Sequence, residues 1–192
     1  GELRDWRRPV VFEIVFFDKG AGKIAPRFLQ DGHFNGVWKV PIRAVPYTRL
    51  NTNRLRSAFF QFDLSDCEWT ESEKPHLLLG GLQYLHRIEA HTSFSEADWK
   101  EALESIPTSV EPIPHLERPI QLVTSGGVRN TGTLASLQED LQTMRELVPL
   151  AKVLGFTSIE CYVRWDWLEP KKEGEFDFGL LDSIVEKIRQ HD

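Results

Sequence analysis

The hydrophobic pattern changes period part-way along the chain. Residues 8–17, RPVVFEIVFF, are almost continuously apolar, β-branched and aromatic, which predicts a strand. The run passes into DKGAGK (18–23), a glycine turn whose spacing is wrong for a phosphate loop and which lacks the strand-loop-helix context of one. HFNGVWKVPIRAV (33–45) gives a second strand region, and Pro41 within it suggests an edge or a bulge. SAFFQFDL (57–64) alternates: Ala58, Phe60, Phe62 and Leu64 share one face, while Ser57, Gln61 and Asp63 share the other. HLLLGGLQYLHRIEA (76–90) reads as a strand pair or as one long strand broken at Gly80-Gly81. SFSEADWKEALESIP reads as a short helix, with Ser95 as N-cap, Asp98 three residues on and Pro107 as its stop. TSVEPIPHLERP then holds three prolines and reads as a linker. Strands spaced by turns, with a single short helix, predict an antiparallel β-sandwich over residues 1–117, ending in the proline-rich linker.

From residue 118 the rhythm becomes β-α-β-α. PIQLVTSGG is a short strand ending in glycines, and SLQEDLQTMRELVPLAKVLG is a helix. Ser136 followed by Glu139 suggests a capping box. Leu137, Leu141, Met144, Val148, Ala151 and Leu154 form one apolar stripe. Pro149 is expected to kink this helix, and Gly155 occupies a left-handed C-cap position. FTSIECYVRW is the next strand. DFGLLDSIVEKIRQHD opens a second helix, with Asp177 as candidate N-cap and Leu181, Ile184, Val185 and Ile188 on its inner face. About 30 residues per βα step is the spacing of a parallel α/β architecture.

Composition narrows the partners. The chain has 192 residues, 41% of them hydrophobic, enough for one large domain or two small ones with a real core. The net charge of −6, with no long basic run, argues against nucleic acid. No apolar stretch reaches the ~18 residues of a membrane span. Cys67 and Cys161, two and far apart, read as buried thiols rather than a disulfide framework. They leave the compartment open, an extracytoplasmic one being favoured. His86, Glu89 and His91 do not have the spacing of a metal motif, and on a strand the two histidines face opposite ways. No cofactor is expected.

Residues 118–192 carry an ordered set of features: Tyr162, Val163, Trp165, Glu169, Pro170, Gly174, Phe176 and Phe178. In this order they resemble the second strand and adjoining loop of the (β/α)8 barrel in the clan of retaining β-glycosidases, closest to the β-galactosidase families. Arg164 stands where those families usually have proline or another residue, and Trp167 where a smaller one is common. The resemblance implies an α+β multi-domain protein, with an N-terminal β-sandwich followed by the first two βα units of an incomplete TIM barrel. It also implies a carbohydrate substrate.

Barrel active sites lie at the C-terminal ends of the strands. Aromatic rings there can stack on a pyranose face, and Arg or Asp can bond its hydroxyls. The resemblance gives Tyr162 the contact to the galactosyl hydroxyls. Trp165 and Arg164 lie beside it, and Arg129 lies at the end of the first barrel strand with Ser125 and Asn130. Glu169 and Asp166 read as loop-fixing residues rather than catalysts. Trp38, Trp69 and Trp99 could form a carbohydrate platform, burial being their default. Retaining glycosidases use two carboxyl groups about 5–5.5 Å apart. In the resembled clan both are glutamates, after the fourth and seventh strands. A complete barrel has eight βα units in about 250 residues, and two are recognisable here. The expectation is therefore an N-terminal fragment of a glycoside hydrolase with no catalytic residue of its own. The remainder of the barrel, in the same or a second chain, would be its partner. The alternative is a non-catalytic carbohydrate-binding or interaction protein.

Overall fold

The computed structural model describes residues 9–29, 38–65, 77–113, 123–124 and 134–191. Among them are β1 (Val10–Phe17), β2 (Ala21–Lys23), β3 (Ala25–Leu29), β4 (Trp38–Lys39), β5 (Arg43–Val45), β6 (Thr48–Leu50), β7 (Leu55–Phe62), β8 (Leu77–Gly80) and β9 (Leu85–His91). After these come α1 (Glu96–Glu104), β10 (Val123–Thr124), α2 (Leu134–Val153), β11 (Ser158–Ile159), α3 (Trp165–Leu168) and α4 (Gly179–Arg189). The fold is mixed α and β, with several antiparallel sheets and four helices among the described residues. The chain divides into two compact units, Gly1–Ile106 and Pro107–Asp192.

In the first unit the order β5-β7-β1-β9 makes a four-stranded antiparallel sheet, and β4-β3-β8 makes a three-stranded one. Val10, Phe12, Ile14 and Phe16 of β1 share a core with Ala58, Phe60 and Phe62 of β7 and with Ile24 and Phe28. Phe12, Phe28 and Phe62 meet edge-on or tilted, with centroids 4.9–6.0 Å apart. Burying each such ring contributes about 1.5–3 kcal/mol. The opposite face of the same sheet is covered by α1: Val11, Val45, Trp99 and Ala102 form a second cluster. β1 is thus buried on both faces, which is why it reads as a continuous apolar run rather than an alternation. β7 does alternate, and Ala58, Phe60, Phe62 and Leu64 are all buried.

α1 begins with a capping box. Ser95 accepts from the Asp98 amide, and the Asp98 carboxylate accepts from the Ser95 amide. The Ser95 amide, and then the Ser95 hydroxyl, donating to this carboxylate hold the Asp98 carboxyl below its usual range. Over 77–90 two strands are present, broken at Gly80-Gly81 as expected, but they do not pair with each other. β8 pairs with β3 and β9 pairs with β1, so the chain changes sheets between them. Gly81 makes this possible: φ is +73°, and a Cβ would sit 1.9 Å from the Lys23 carbonyl oxygen.

A polar hub ties the β1–β2 turn to the β6–β7 loop. Asp18 is fully buried and accepts from the Leu50 amide (2.8 Å), the Thr52 amide (3.2 Å) and the Thr52 hydroxyl (2.8 Å). Arg56 donates to it at 3.0 Å and also to the Thr48 carbonyl. Buried Arg49 bridges the carbonyls of Lys19 and Ala21. Asn51 and Gly20 exchange bonds, and Asn51 and Asn53 both hold φ of 54°. The DKGAGK turn is therefore a scaffold, fixed from across the unit by side chains more than 25 residues away.

In the second unit β10 and β11 pair in parallel, with α2 between them. Met144, Val148 and Ile184 form the core of α2 against α4, joined by Ile159, Cys161, Val163, Trp167, Leu180 and Ile188. Several local expectations shift here. α2 starts at Leu134, so Ser136 lies inside the first turn and is not an N-cap. Pro149 sits within this continuous helix, and Leu154 at its end is exposed. Gly155 has the expected positive φ, 81°. α4 buries Ile184 with Leu180 and Ile188 partly buried beside it, while Val185 faces outward. Asp177 accepts from the Gly179 amide at 2.9 Å, ahead of Phe178 at the N-cap position. The predicted strand 156–165 is only Ser158–Ile159. A strand persists where a neighbour supplies a hydrogen-bond ladder, and β10 lies alongside at only two positions.

Candidate functional site

The backbone after β11 keeps the alternation of a strand without its pairing. Ile159, Cys161 and Val163 turn toward the α2–α4 core, so Glu160, Tyr162 and Arg164 turn outward. Arg164 is the N-cap residue of α3, in extended conformation, and the helical turn closes when the Trp167 amide donates to its carbonyl. This turn leaves Trp165 on the outside, 66% exposed, and sends Trp167 into the core cluster.

Glu169 organises the loop between α3 and α4. One carboxylate oxygen accepts from the Trp165 indole N–H at 2.7 Å, and the other accepts from the Gly174 amide. Gly174 has φ of 84°, and the Asp177 amide donates to the Leu168 carbonyl at 2.7 Å. The loop is thereby folded back on α3, bringing Phe176 against Trp165 edge-on at 5.9 Å, with Phe178 stacked on Phe176 at 5.8 Å. Three exposed aromatic rings form a continuous row. The Trp165 indole N–H is already bonded, so this ring offers a ligand its surface rather than a donor.

Arg164 and Asp166 form a two-bonded pair, Nε–Oδ1 at 2.8 Å and Nη2–Oδ2 at 2.6 Å. The pair raises the Arg164 pKa and holds the Asp166 carboxyl below its usual range. The guanidinium also lies 5.6 Å from the centre of the Trp167 ring. Tyr162 is 46% exposed, and no ring contact joins it to the aromatic row among the described residues. The structure thus gathers Trp165 with Phe176 and Phe178, and Arg164 with Asp166 and Trp167. Ser125, Arg129 and Asn130 lie outside the described residues, as does Trp69. Trp99 is buried in the α1 cluster beneath Arg43 and Trp38 is half-buried, so neither forms an open platform.

Sequence reasoning missed one cavity. A cleft of about 450 Å³ opens between β7 and α1, lined by Leu55, Ser57, Phe59, Phe94, Asp98 and Glu101 among others. Its walls come from segments 40 residues apart, and no local motif announces it. A scan of family models, a search of curated proteins and a search of solved structures each returned no match. No helix among the described residues is long and apolar enough to cross a membrane.

Proposed function

We propose that this chain is the N-terminal portion of a glycoside hydrolase acting on β-linked sugars, β-galactosidase-like. Residues 1–117 are an accessory β-sandwich, and residues 118–192 contribute the first two βα units of a (β/α)8 barrel. The catalytic glutamates lie outside these residues. The observation that carries the reading is the row of exposed rings, Trp165, Phe176 and Phe178, on the segment that leads from the parallel strand β11 to α4. Solvent exposure of three neighbouring aromatics is costly unless a ligand covers them, and sugar pockets pair such surfaces with a few polar groups. The outward-facing Tyr162 and the Arg164–Asp166 pair supply those groups. Two antiparallel sheets sharing the β1–β3–β7 core support the sandwich, and the parallel β10–α2–β11 unit followed by α4 supports the barrel start.

Titration of the chain with methyl β-galactoside, monitored by amide and indole NMR shifts, tests this reading. Shifts are expected at 162–178 and in the Trp165 indole, and Trp165→Ala should remove them while leaving the folded spectrum intact. Tyr162→Phe should weaken binding by about 0.5–1.5 kcal/mol, the worth of one hydrogen bond. If no residue of 162–178 responds to this sugar or to a β-glucoside, the reading fails. Binding here together with turnover of aryl glycosides by the chain itself would refute the absence of a catalytic pair.

A further inference from the structure

Every residue of β1 is apolar except Glu13. It sits mid-strand in the sheet, between β7 and β9, with its side chain only 13% exposed. Directly opposite on β9 is Glu89. Like charges facing each other across antiparallel strands are destabilising, and a carboxylate in a mostly buried strand needs a partner. His91, two residues beyond Glu89, projects from the same face, and its Nε2 lies 3.1 Å from Glu13 Oε2. One ligand atom from each of Glu13, Glu89 and His91 lies within 4.8 Å of the other two. Ser57 on β7 donates to Glu13 Oε1 at 2.6 Å, so the carboxylate is pinned by one oxygen and turned to His91 by the other.

We propose that Glu13, Glu89 and His91 form a binding site for a divalent transition metal of the zinc class. One imidazole with two carboxylates is a mixed nitrogen and oxygen set. Such a set suits zinc and its neighbours, whereas magnesium and calcium favour oxygen alone. At metal–ligand distances of about 2.0–2.1 Å, tetrahedral ligands stand roughly 3.3 Å apart, close to the 3.1 Å between His91 and Glu13. Glu89 closes the set by rotating on the edge strand, where it is about half exposed. Arg87 competes for it, holding Glu89 Oε1 at 2.6 Å. Three protein ligands leave a coordination position open, the arrangement of reactive rather than purely structural zinc sites. Ser57 is the positioning residue. It fixes the Glu13 carboxylate as outer-shell groups do in metal sites, and it also lines the cleft between β7 and α1. His86 falls where the β1–β9 register shifts and is not a member of the cluster.

The test is a competition titration of the metal-free 192-residue chain with zinc against a chromophoric chelator. One zinc per chain is expected. His91→Ala and Glu13→Gln should each weaken binding at least as much as the 10–100-fold of an outer-shell change, and Ser57→Ala should fall within that range. Arg87→Gln should tighten binding by freeing Glu89, an effect that misfolding cannot imitate. Circular dichroism checks that each variant is folded. Absence of saturable zinc binding overturns the proposal. So does binding that survives His91→Ala unchanged, or that Arg87→Gln fails to strengthen; either would leave the cluster as a closed set of ion pairs.

Discussion

Replacing Asp18 by Asn should cost the first unit a large part of its stability, although the change is isosteric and lies in a turn. The Asp18 side chain has no solvent exposure and accepts four hydrogen bonds, three of them on Oδ2. All four partners are donors. An amide at this position must turn its NH₂ either toward Leu50 or toward Thr52 and Arg56, so at least one donor meets a donor. Arg56, itself only 9% exposed, also loses its counter-charge. Removing one partner of a buried ion pair costs about 3–5 kcal/mol. Against a typical total of roughly 5–15 kcal/mol, that is a large part of the stability. At about 4–8 °C per kcal/mol for a unit of this size, the midpoint should fall by more than about 12 °C. Urea denaturation monitored by tryptophan fluorescence reads the change, because Trp99 is buried in the same unit. A companion variant separates charge burial from lost hydrogen bonds. Asp18→Leu with Arg56→Met leaves no unpaired charge, and a methionine there packs toward Phe16, which the guanidinium now overlies at 5.9 Å. The double variant should recover part of what Asp18→Leu alone loses. An Asp18→Asn protein within about 1 kcal/mol of the parent, too small for a broken buried pair, would refute the reasoning. So would a double variant no more stable than the sum of its single changes predicts.

Gly81→Ala should destabilise the first unit by more than the roughly 1–2 kcal/mol of a left-handed non-glycine residue, because its Cβ would also meet the Lys23 carbonyl at 1.9 Å; an unchanged urea midpoint would contradict this. His191 is buried, and burial, then the Lys152 charge, lowers its pKa below the ordinary 6.5. The unfolded chain therefore binds the proton more readily, so stability is greatest above pH 6.5 and declines as pH falls through the lowered folded value. His191→Gln should flatten that decline in the second unit between pH 7 and pH 5, and an unaltered pH profile would count against it.

Where one strand carries its own signal, the sequence is readable. The alternation of 57–64 predicts which side chains of β7 are buried, because one face meets a core and the other a more open layer. The α1 cap is equally legible, since Ser95 and Asp98 interact across three residues. Legibility fails where the structure depends on partners distant in sequence. Nothing within 76–90 says that its halves join different sheets; that depends on β1 and β3 being the edges they find. The strand expected over 156–165 fails for the converse reason. Its alternation is real and packs Cys161 and Val163 against the α2–α4 core, but an apolar pattern does not provide a neighbouring ladder.

The same distinction separates the two sites. The aromatic row lies within 165–178, so its members and the Glu169 brace are all visible as one local motif. The Glu13 cluster cannot be seen that way. His86, Glu89 and His91 attract notice together because they are close in sequence, yet His86 is not in the cluster and the missing member stands 76 residues before Glu89. One signal is present. In a strand buried on both faces, every position but one is apolar, and the exception is an acid. A side chain that violates an otherwise unbroken burial pattern must be offset by something in the tertiary structure. Once the β1–β9 register is known, His91 and Ser57 are what offset it. The residue that fits its strand least well is therefore the one that points to chemistry, whereas the Asp18 hub serves to hold loops.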